Sequence, residues 1–272
     1  MWKKWPVCWE VSEVKIRNRL AQLREKEEMA LIAFIMAAVP DEDLCLECIR
    51  ALEQGGCDLL ELGVPFTDPL ADGEVIERFH HRGVRRGLNL KRGLDFAARV
   101  RDACQLPLIL FSYYNPILQM GLDKFAGDCR SAGVEAVIVP DLPLDELRRL
   151  AGQGLELIPM LAPSSTLSRV QMAAELDPAF IYCVSVRGVT GLRSLPEMEI
   201  KDYLQKVRRV STAPLALGFG ISQPEQVRAF REQADGVVIG SALAQIIEEY
   251  ESRPALLPGI LEKRCQALKL LS

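Results

Sequence analysis

Short apolar runs recur along the chain, separated by stretches in which apolar positions return every three or four residues. The runs fall at 30–36, 58–63, 106–112, 136–139, 155–160, 180–185, 214–218 and 236–239. Most are nearly continuous in Val, Ile and Leu, which predicts strands covered on both faces in a parallel sheet. The stretches at 41–54, 92–104, 122–132, 144–151, 167–176, 200–210 and 224–233 carry helical periodicity. Strand and helix alternate at roughly 25–30 residues per unit, the spacing of a closed (β/α)8 barrel. An open doubly wound sheet is the alternative, but no dinucleotide fingerprint follows the first strand. The α/β class and the (β/α)8 TIM barrel are therefore the expectation. Residues 11–26 read as an extra N-terminal helix against the barrel bottom, and residues 1–10 as a flexible extension. The whole chain, 1–272, is expected to form a single domain.

Composition narrows the classes. With 272 residues, 49% of them hydrophobic, the chain can bury a large core. A net charge of −4 argues against nucleic acid or an anionic membrane as partner. No apolar run is long enough to span a bilayer. The start, Met1-Trp2-Lys3-Lys4-Trp5-Pro6, is basic, but Glu10, Glu13 and Lys15 arrive before any apolar signal core. Eight scattered cysteines suit a reducing compartment, so a cytoplasmic protein is expected. Cys45 and Cys48 form a lone CxxC on a predicted helix. With no second pair to complete a zinc site, they read as helix residues.

In such a barrel the chemistry sits at the carboxyl ends of the strands. Glu61 interrupts the apolar second run, Leu59-Leu60-Glu61-Leu62-Gly63, where burial would raise its pKa and allow proton exchange near neutrality. A buried structural Glu is the competing reading. The following loop carries Asp68 and Asp72 over the same mouth, and Gly73 is expected to permit a tight turn. Either Asp can be an ordinary turn residue, but a loop after a carboxylate-tipped strand favours function. Gly218-Phe219-Gly220-Ile221-Ser222 ends the seventh strand, and Gly240-Ser241 ends the eighth before a long helix. Two Gly-containing loops at these positions predict a phosphate cradle built on backbone N–H groups. Gly188-Val189-Thr190-Gly191 offers further donors.

Absences narrow the mechanism. None of the ten lysines falls at a predicted strand end, which argues against a Schiff-base aldolase. The two histidines, His80 and His81, are adjacent and cannot share a helix face, so no metal site is expected from them. Carboxylate acid–base chemistry on a phosphorylated substrate remains.

Seven ordered motifs resemble one family. The stretch Leu60-Glu61-Leu62-Gly63-Val64-Pro65-Phe66-Thr67-Asp68-Pro69-Leu70-Ala71-Asp72-Gly73 is similar to the signature of the tryptophan synthase α subunits, with Thr67 where Ser is usual. Tyr113-Tyr114-Asn115-Pro116-Ile117, Val139-Pro140-Asp141-Leu142-Pro143, Tyr182-Cys183-Val184-Ser185, Gly188-Val189-Thr190-Gly191 and the Gly218 and Gly240 loops follow in the family's order. The match covers nearly the whole chain from about Val11.

The resemblance implies retro-aldol cleavage of indole-3-glycerol phosphate to indole and glyceraldehyde 3-phosphate, a lyase step in tryptophan biosynthesis. It implies Glu61 as proton shuttle, Asp72 at the indole nitrogen and Tyr182 positioning the site. Gly191, Gly220, Gly240 and Ser241 would hold the phosphate, and Phe34, Phe111, Ile138, Leu161, Thr190 and Phe219 would line the indole slot. It also implies an α2β2 assembly. Asp68, Tyr114, Asn115 and Pro116 would face a β subunit, and pyridoxal phosphate would belong to that partner only.

The chain departs from the family in two places. Met36-Ala37-Ala38-Val39-Pro40 stands for Thr-Ala-Gly-Asp-Pro, and Glu74-Val75-Ile76-Glu77 for Pro-x-Ile-Gln. Phe79 and His80 occupy positions where small or amide residues are common. Alternatives are a free-standing lyase that releases indole, a non-catalytic activating subunit, or another phosphate-binding barrel such as an isomerase.

Overall fold

The computed structural model describes residues 15–151, 155–185, 196–218 and 220–270. The expected extension at 1–10, residues 11–14 of the first helix, and the site candidates Thr190, Gly191 and Phe219 lie outside the described residues.

Nine short strands pair in parallel: β1 (Ala30–Met36), β2 (Leu59–Gly63), β3 (Leu108–Phe111), β4 (Ala136–Ile138), β5 (Glu156–Leu157), β6 (Met160–Leu161), β7 (Ile181–Val184), β8 (Leu215–Gly218) and β9 (Gly236–Ile239). Their order is β5-β4-β3-β2-β1-β9-β8-β7-β6. The single run expected at 155–160 is thus two pieces, β5 and β6. Pro159 has no N–H to give to a ladder, which interrupts the strand. Pairing changes sides across the break: Ile158 N donates to Val137 O at 3.0 Å, and Tyr182 N donates to Pro159 O at 3.0 Å. Ile158-Pro159 therefore joins the two ends of the sheet, and eight barrel strands close the ring. Helices connect the strands on the outside, giving the (β/α)8 barrel.

The strands are buried almost throughout, as their apolar composition requires. One contiguous hydrophobic cluster runs from Ile16 to Leu268. The extra N-terminal helix, Lys15–Glu25, buries Ile16, Leu20 and Leu23, spaced four and three residues apart on one face. It sits at the amino end of the barrel, where Arg19 Nη2 donates to Asp58 Oδ1 at 2.6 Å. Asp58 Oδ2 accepts from Leu31 N at 2.7 Å and from Lys269 Nζ at 2.9 Å. One fully buried carboxylate thus ties the first described helix, β1 and the last helix, Leu257–Lys269, together.

Among the described residues no helix is long and apolar enough to cross a membrane. Cys45 and Cys48 are buried on the helix Glu42–Gln54. Burial pushes the Cys45 thiol up to about 12 and raises Cys48 as well, which keeps both protonated and unreactive.

Candidate active site

The site begins with a carboxylate where the β ladder would place an apolar side chain. Glu61 pairs in register with Phe34 on β1 and Ile109 on β3. It is 1% exposed, and its Oε2 has no hydrogen-bond partner. Burial, and then the negative charge of Asp72, push its carboxyl up to about 8. A carboxyl with that property is protonated at neutral pH and exchanges its proton near it.

Asp72 lies on the loop between β2 and the helix Glu74–Arg85. Its Oδ2 accepts from the Tyr113 hydroxyl at 2.7 Å and lies 3.1 Å from His80 Nε2. Tyr113 Oη also accepts from Ala71 N at 3.0 Å, so one phenol holds two neighbouring points of the loop. Burial and the Asp72 carboxylate both raise the Tyr113 pKa, which keeps the phenol a donor. Phe66 stacks on the Tyr113 ring at 4.9 Å. Glu61 is left unpartnered at Oε2 while Asp72 is fixed, so the environments of the two acids differ sharply.

Both acids open on a cavity of about 230 Å³. Of the residues expected from sequence, Phe34, Glu61, Asp72, Phe111, Tyr182, Gly220, Gly240 and Ser241 line it. Ile76, Ile221, Ser222, Val238, Ala242 and Gln245 complete the wall. The strand order separates two sides. Glu61 and Phe111, on β2 and β3, lie to one side of Phe34 on β1; Val238 and the Gly220 and Gly240 loops lie on the β8–β9 side. On that side Gly240 caps the helix Ser241–Tyr250, whose first N–H groups have no intrahelical acceptor and suit an anion. Phe34 and Phe111 meet edge to face at 5.7 Å and give a flat aromatic slot its walls.

Tyr182 on β7 lies over Gly218 of β8. A Cβ at Gly218 would stand 2.3 Å from the Tyr182 hydroxyl, so only glycine admits the ring. Burial, then the charges of Glu61 and Asp72, raise its pKa well above the ordinary value. Tyr182 therefore stays a neutral phenol beside the acids.

Two expected slot residues stand elsewhere. Ile138 is fully buried and Leu161 is 1% exposed; neither lines the cavity, and both pack within the barrel core. An apolar residue near a strand end can belong to the inner layers as readily as to the mouth. Gly73 also differs from expectation. It is the N-cap of the helix Glu74–Arg85 with φ −83°, extended backbone that needs no glycine.

Tyr114, Asn115 and Pro116, expected to face a partner, form the first turn of a helix at Tyr114–Met120 capped by Tyr113. Pro116 is tolerated because first-turn N–H groups have no intrahelical acceptor. Tyr114 and Pro116 are half-buried, while Asn115 and Asp68 are exposed. Leu70, beside Asp68, is 78% exposed, and Leu118 on the same short helix is 55% exposed.

Sequence reasoning missed Tyr113 and His80 as groups that hold Asp72. The signal for His80 was present: Ile76, Phe79, His80 and Gly83 fall at helical spacing and form the buried face of their helix.

The comparisons with known proteins agree with this architecture. The family model for the tryptophan synthase alpha chain matches residues 20–269. A tryptophan synthase alpha chain from Syntrophomonas wolfei is 95% identical over 259 residues, covering 95% of this chain and all of that relative. A solved tryptophan synthase subunit alpha from Legionella pneumophila superposes with a TM-score of 0.83 at 32% identity, covering 93% of this chain and 98% of that one. A chain of the tryptophan synthase α2β2 complex from Pyrococcus furiosus gives 0.80 at 31% identity, over 89% and 98% of the two chains. With a barrel of this topology and a family match spanning nearly all of it, the chain belongs to the tryptophan synthase alpha chain family.

Proposed function

We propose that this chain cleaves indole-3-glycerol phosphate to indole and glyceraldehyde 3-phosphate, with Glu61 as proton shuttle and Asp72 as electrostatic partner. The observation that carries the reading is the contrast between the two acids: a buried Glu61, unpartnered at Oε2, whose carboxyl is pushed up to about 8, beside an Asp72 fixed at Oδ2.

Glu61 starts protonated and gives its proton to indole C3. The ring becomes an indoleninium, with positive charge at N1, which the Asp72 carboxylate stabilises. The Glu61 carboxylate then takes the proton of the adjacent glycerol hydroxyl. A carbonyl forms there, the bond to C3 breaks, and its electrons return to the ring. Indole and the aldehyde leave, and Glu61 is again protonated. One acid acts in turn as donor and acceptor, as a pKa near the working pH allows. Phe34 and Phe111 would hold the ring; Gly220, Gly240 and Ser241 would hold the phosphate on backbone N–H groups. Tyr182 would keep the ring side of the cavity polar beside both acids.

The assembly follows from the same reading. The chain acts as the alpha subunit of an α2β2 enzyme, and Asp68, Leu70, Asn115 and Leu118 supply exposed surface near the mouth for a β subunit. Pyridoxal phosphate belongs to that partner, and no step described above runs through it. The free, buried cysteines among the described residues suit a cytoplasmic setting.

The test is release of indole from indole-3-glycerol phosphate by the purified chain, alone and with a β subunit. Glu61→Gln should bind substrate and release no indole above background. Turnover by that variant, or none by the unaltered chain with β subunit present, would overturn the reading.

A further inference from the structure

His80 is the one histidine buried in the described fold, and nothing in the mechanism above uses it. It is fully buried, and both ring nitrogens face specific partners. Phe66 N donates to Nδ1 at 3.0 Å. A nitrogen that accepts from an amide cannot itself carry a proton, so the ring's hydrogen sits on Nε2. Nε2 lies 3.1 Å from Asp72 Oδ2, an acceptor, and the N–H therefore points at the carboxylate.

The packing restrains His80 from several sides. Its ring meets the Tyr113 ring edge-on at 5.9 Å. Its helix docks on the loop through Gly83, where a Cβ would stand 2.4 Å from Pro65 Cγ. Phe66 on the same loop stacks on Tyr113. The backbone of the loop thus fixes the imidazole tautomer, and the tautomer fixes the donor to Asp72.

We infer that His80 is a positioning residue for Asp72: the Phe66 amide selects the Nε2–H tautomer, and that N–H, with the Tyr113 hydroxyl, aims the carboxylate at the cavity. This rests on the proposed role of Asp72. With Oδ2 held by two donors, the carboxylate's remaining capacity is directed at the substrate. A loosened Asp72 would still allow substrate to bind, because the phosphate and ring contacts lie on other elements. It would lose stabilisation of a charge that develops only after C3 is protonated. The effect should fall on kcat rather than on KM.

Two substitutions separate the halves of the device. The amide of Asn reaches the position of Nδ1, and that of Gln the position of Nε2. His80→Asn keeps an acceptor for Phe66 N but loses the donor to Asp72, and should lower kcat about tenfold or more, with KM changed less than about threefold. His80→Gln keeps a donor for Asp72 and should rescue most of that loss. Equal kinetics in the two variants would overturn the inference and leave His80 as packing. A readout independent of activity is the tautomer of the unaltered protein, from long-range ¹H–¹⁵N spectra of a chain with only two histidines. The Nε2–H form is expected, and an Nδ1–H form would overturn the inference even if the variants fail to fold. If the unaltered chain releases no indole while the tautomer is Nε2–H, the proposed function fails and the hydrogen-bonded device stands.

Discussion

The Tyr113 hydroxyl donates to Asp72 Oδ2 at 2.7 Å, joining the end of β3 to the loop that follows β2 across 41 positions of sequence. The same oxygen accepts from Ala71 N, so the phenol is both a donor to the carboxylate and an acceptor for the backbone beside it. Tyr113→Phe keeps the ring stacked on Phe66 and removes both hydrogen bonds. It should lower kcat about tenfold and cost about 1–2 kcal/mol of stability, because Ala71 N then loses its acceptor. Steady-state indole release and urea unfolding would check the two effects. Unchanged kcat would show that His80 alone suffices to hold Asp72.

Glu61 makes activity and stability depend on pH in defined directions. The proposed cycle starts from the protonated acid, so kcat/KM should fall on the alkaline side with an apparent pKa near 8. For stability, the unfolded chain ionises Glu61 near 4.5, while the fold keeps the proton to about 8. The stabilising contribution of the protonated group is whole below pH 4.5. Between the two values the unfolded state has lost a proton that the fold retains, so stability falls by about 1.4 kcal/mol per pH unit. The loss totals on the order of 5 kcal/mol by the time the pH has passed 8. Glu61→Gln should flatten this dependence in denaturant titrations at pH 5 through 9. A slope identical to that of the unaltered chain would place the Glu61 pKa near its ordinary value.

The residues that were legible in the sequence are those whose chemistry contrasts with their neighbours in the chain. Glu61 stands in an apolar run, and glycines mark the ends of β8 and β9 where the anion side of the cavity forms. The barrel followed from the regular alternation, because strands buried on both faces carry few polar residues. What was not legible depends on elements brought together in space. Nothing in the run Tyr113-Tyr114-Asn115-Pro116 shows that the first residue turns inward to Asp72 while the third stays exposed. His80 was set aside because its neighbour, His81, cannot join it on a metal. The informative partner was the Phe66 amide, 14 residues away. Pro159 split a strand that apolar pattern alone read as continuous.

Gly218 sets the position of Tyr182. The Gly218→Ala Cβ would lie 2.3–2.4 Å from the phenol's oxygen and ring carbons. Tyr182 is 4% exposed and has little room to retreat. The variant should lose about 1–3 kcal/mol of stability through overpacking, and kcat/KM should fall with it. Pairing Gly218→Ala with Tyr182→Phe tests the cause. Removing the hydroxyl takes away one of the contacts, at Oη, and leaves those to the ring. Partial recovery of stability is therefore expected, and a purely additive loss would place the strain elsewhere.

The opposite end of the barrel provides the control, because Asp58 stabilises the fold without reaching the cavity. Its carboxylate is fully buried, accepts from Leu31 N and meets Arg19 and Lys269, which are 37% and 19% exposed. The cations are partly solvated, so each pair contributes less than a fully dry one would. Asp58→Asn keeps an oxygen for Leu31 N and gives up the charge shared by the two cations. It should cost about 2 kcal/mol in urea unfolding. Asp58→Ala also strands the Leu31 amide and should cost more. In both variants the fraction that remains folded should turn over substrate at the rate of the unaltered chain. A kcat that falls with stability in Asp58→Asn would mean that strain just before β2 reaches Glu61, three residues further along the chain.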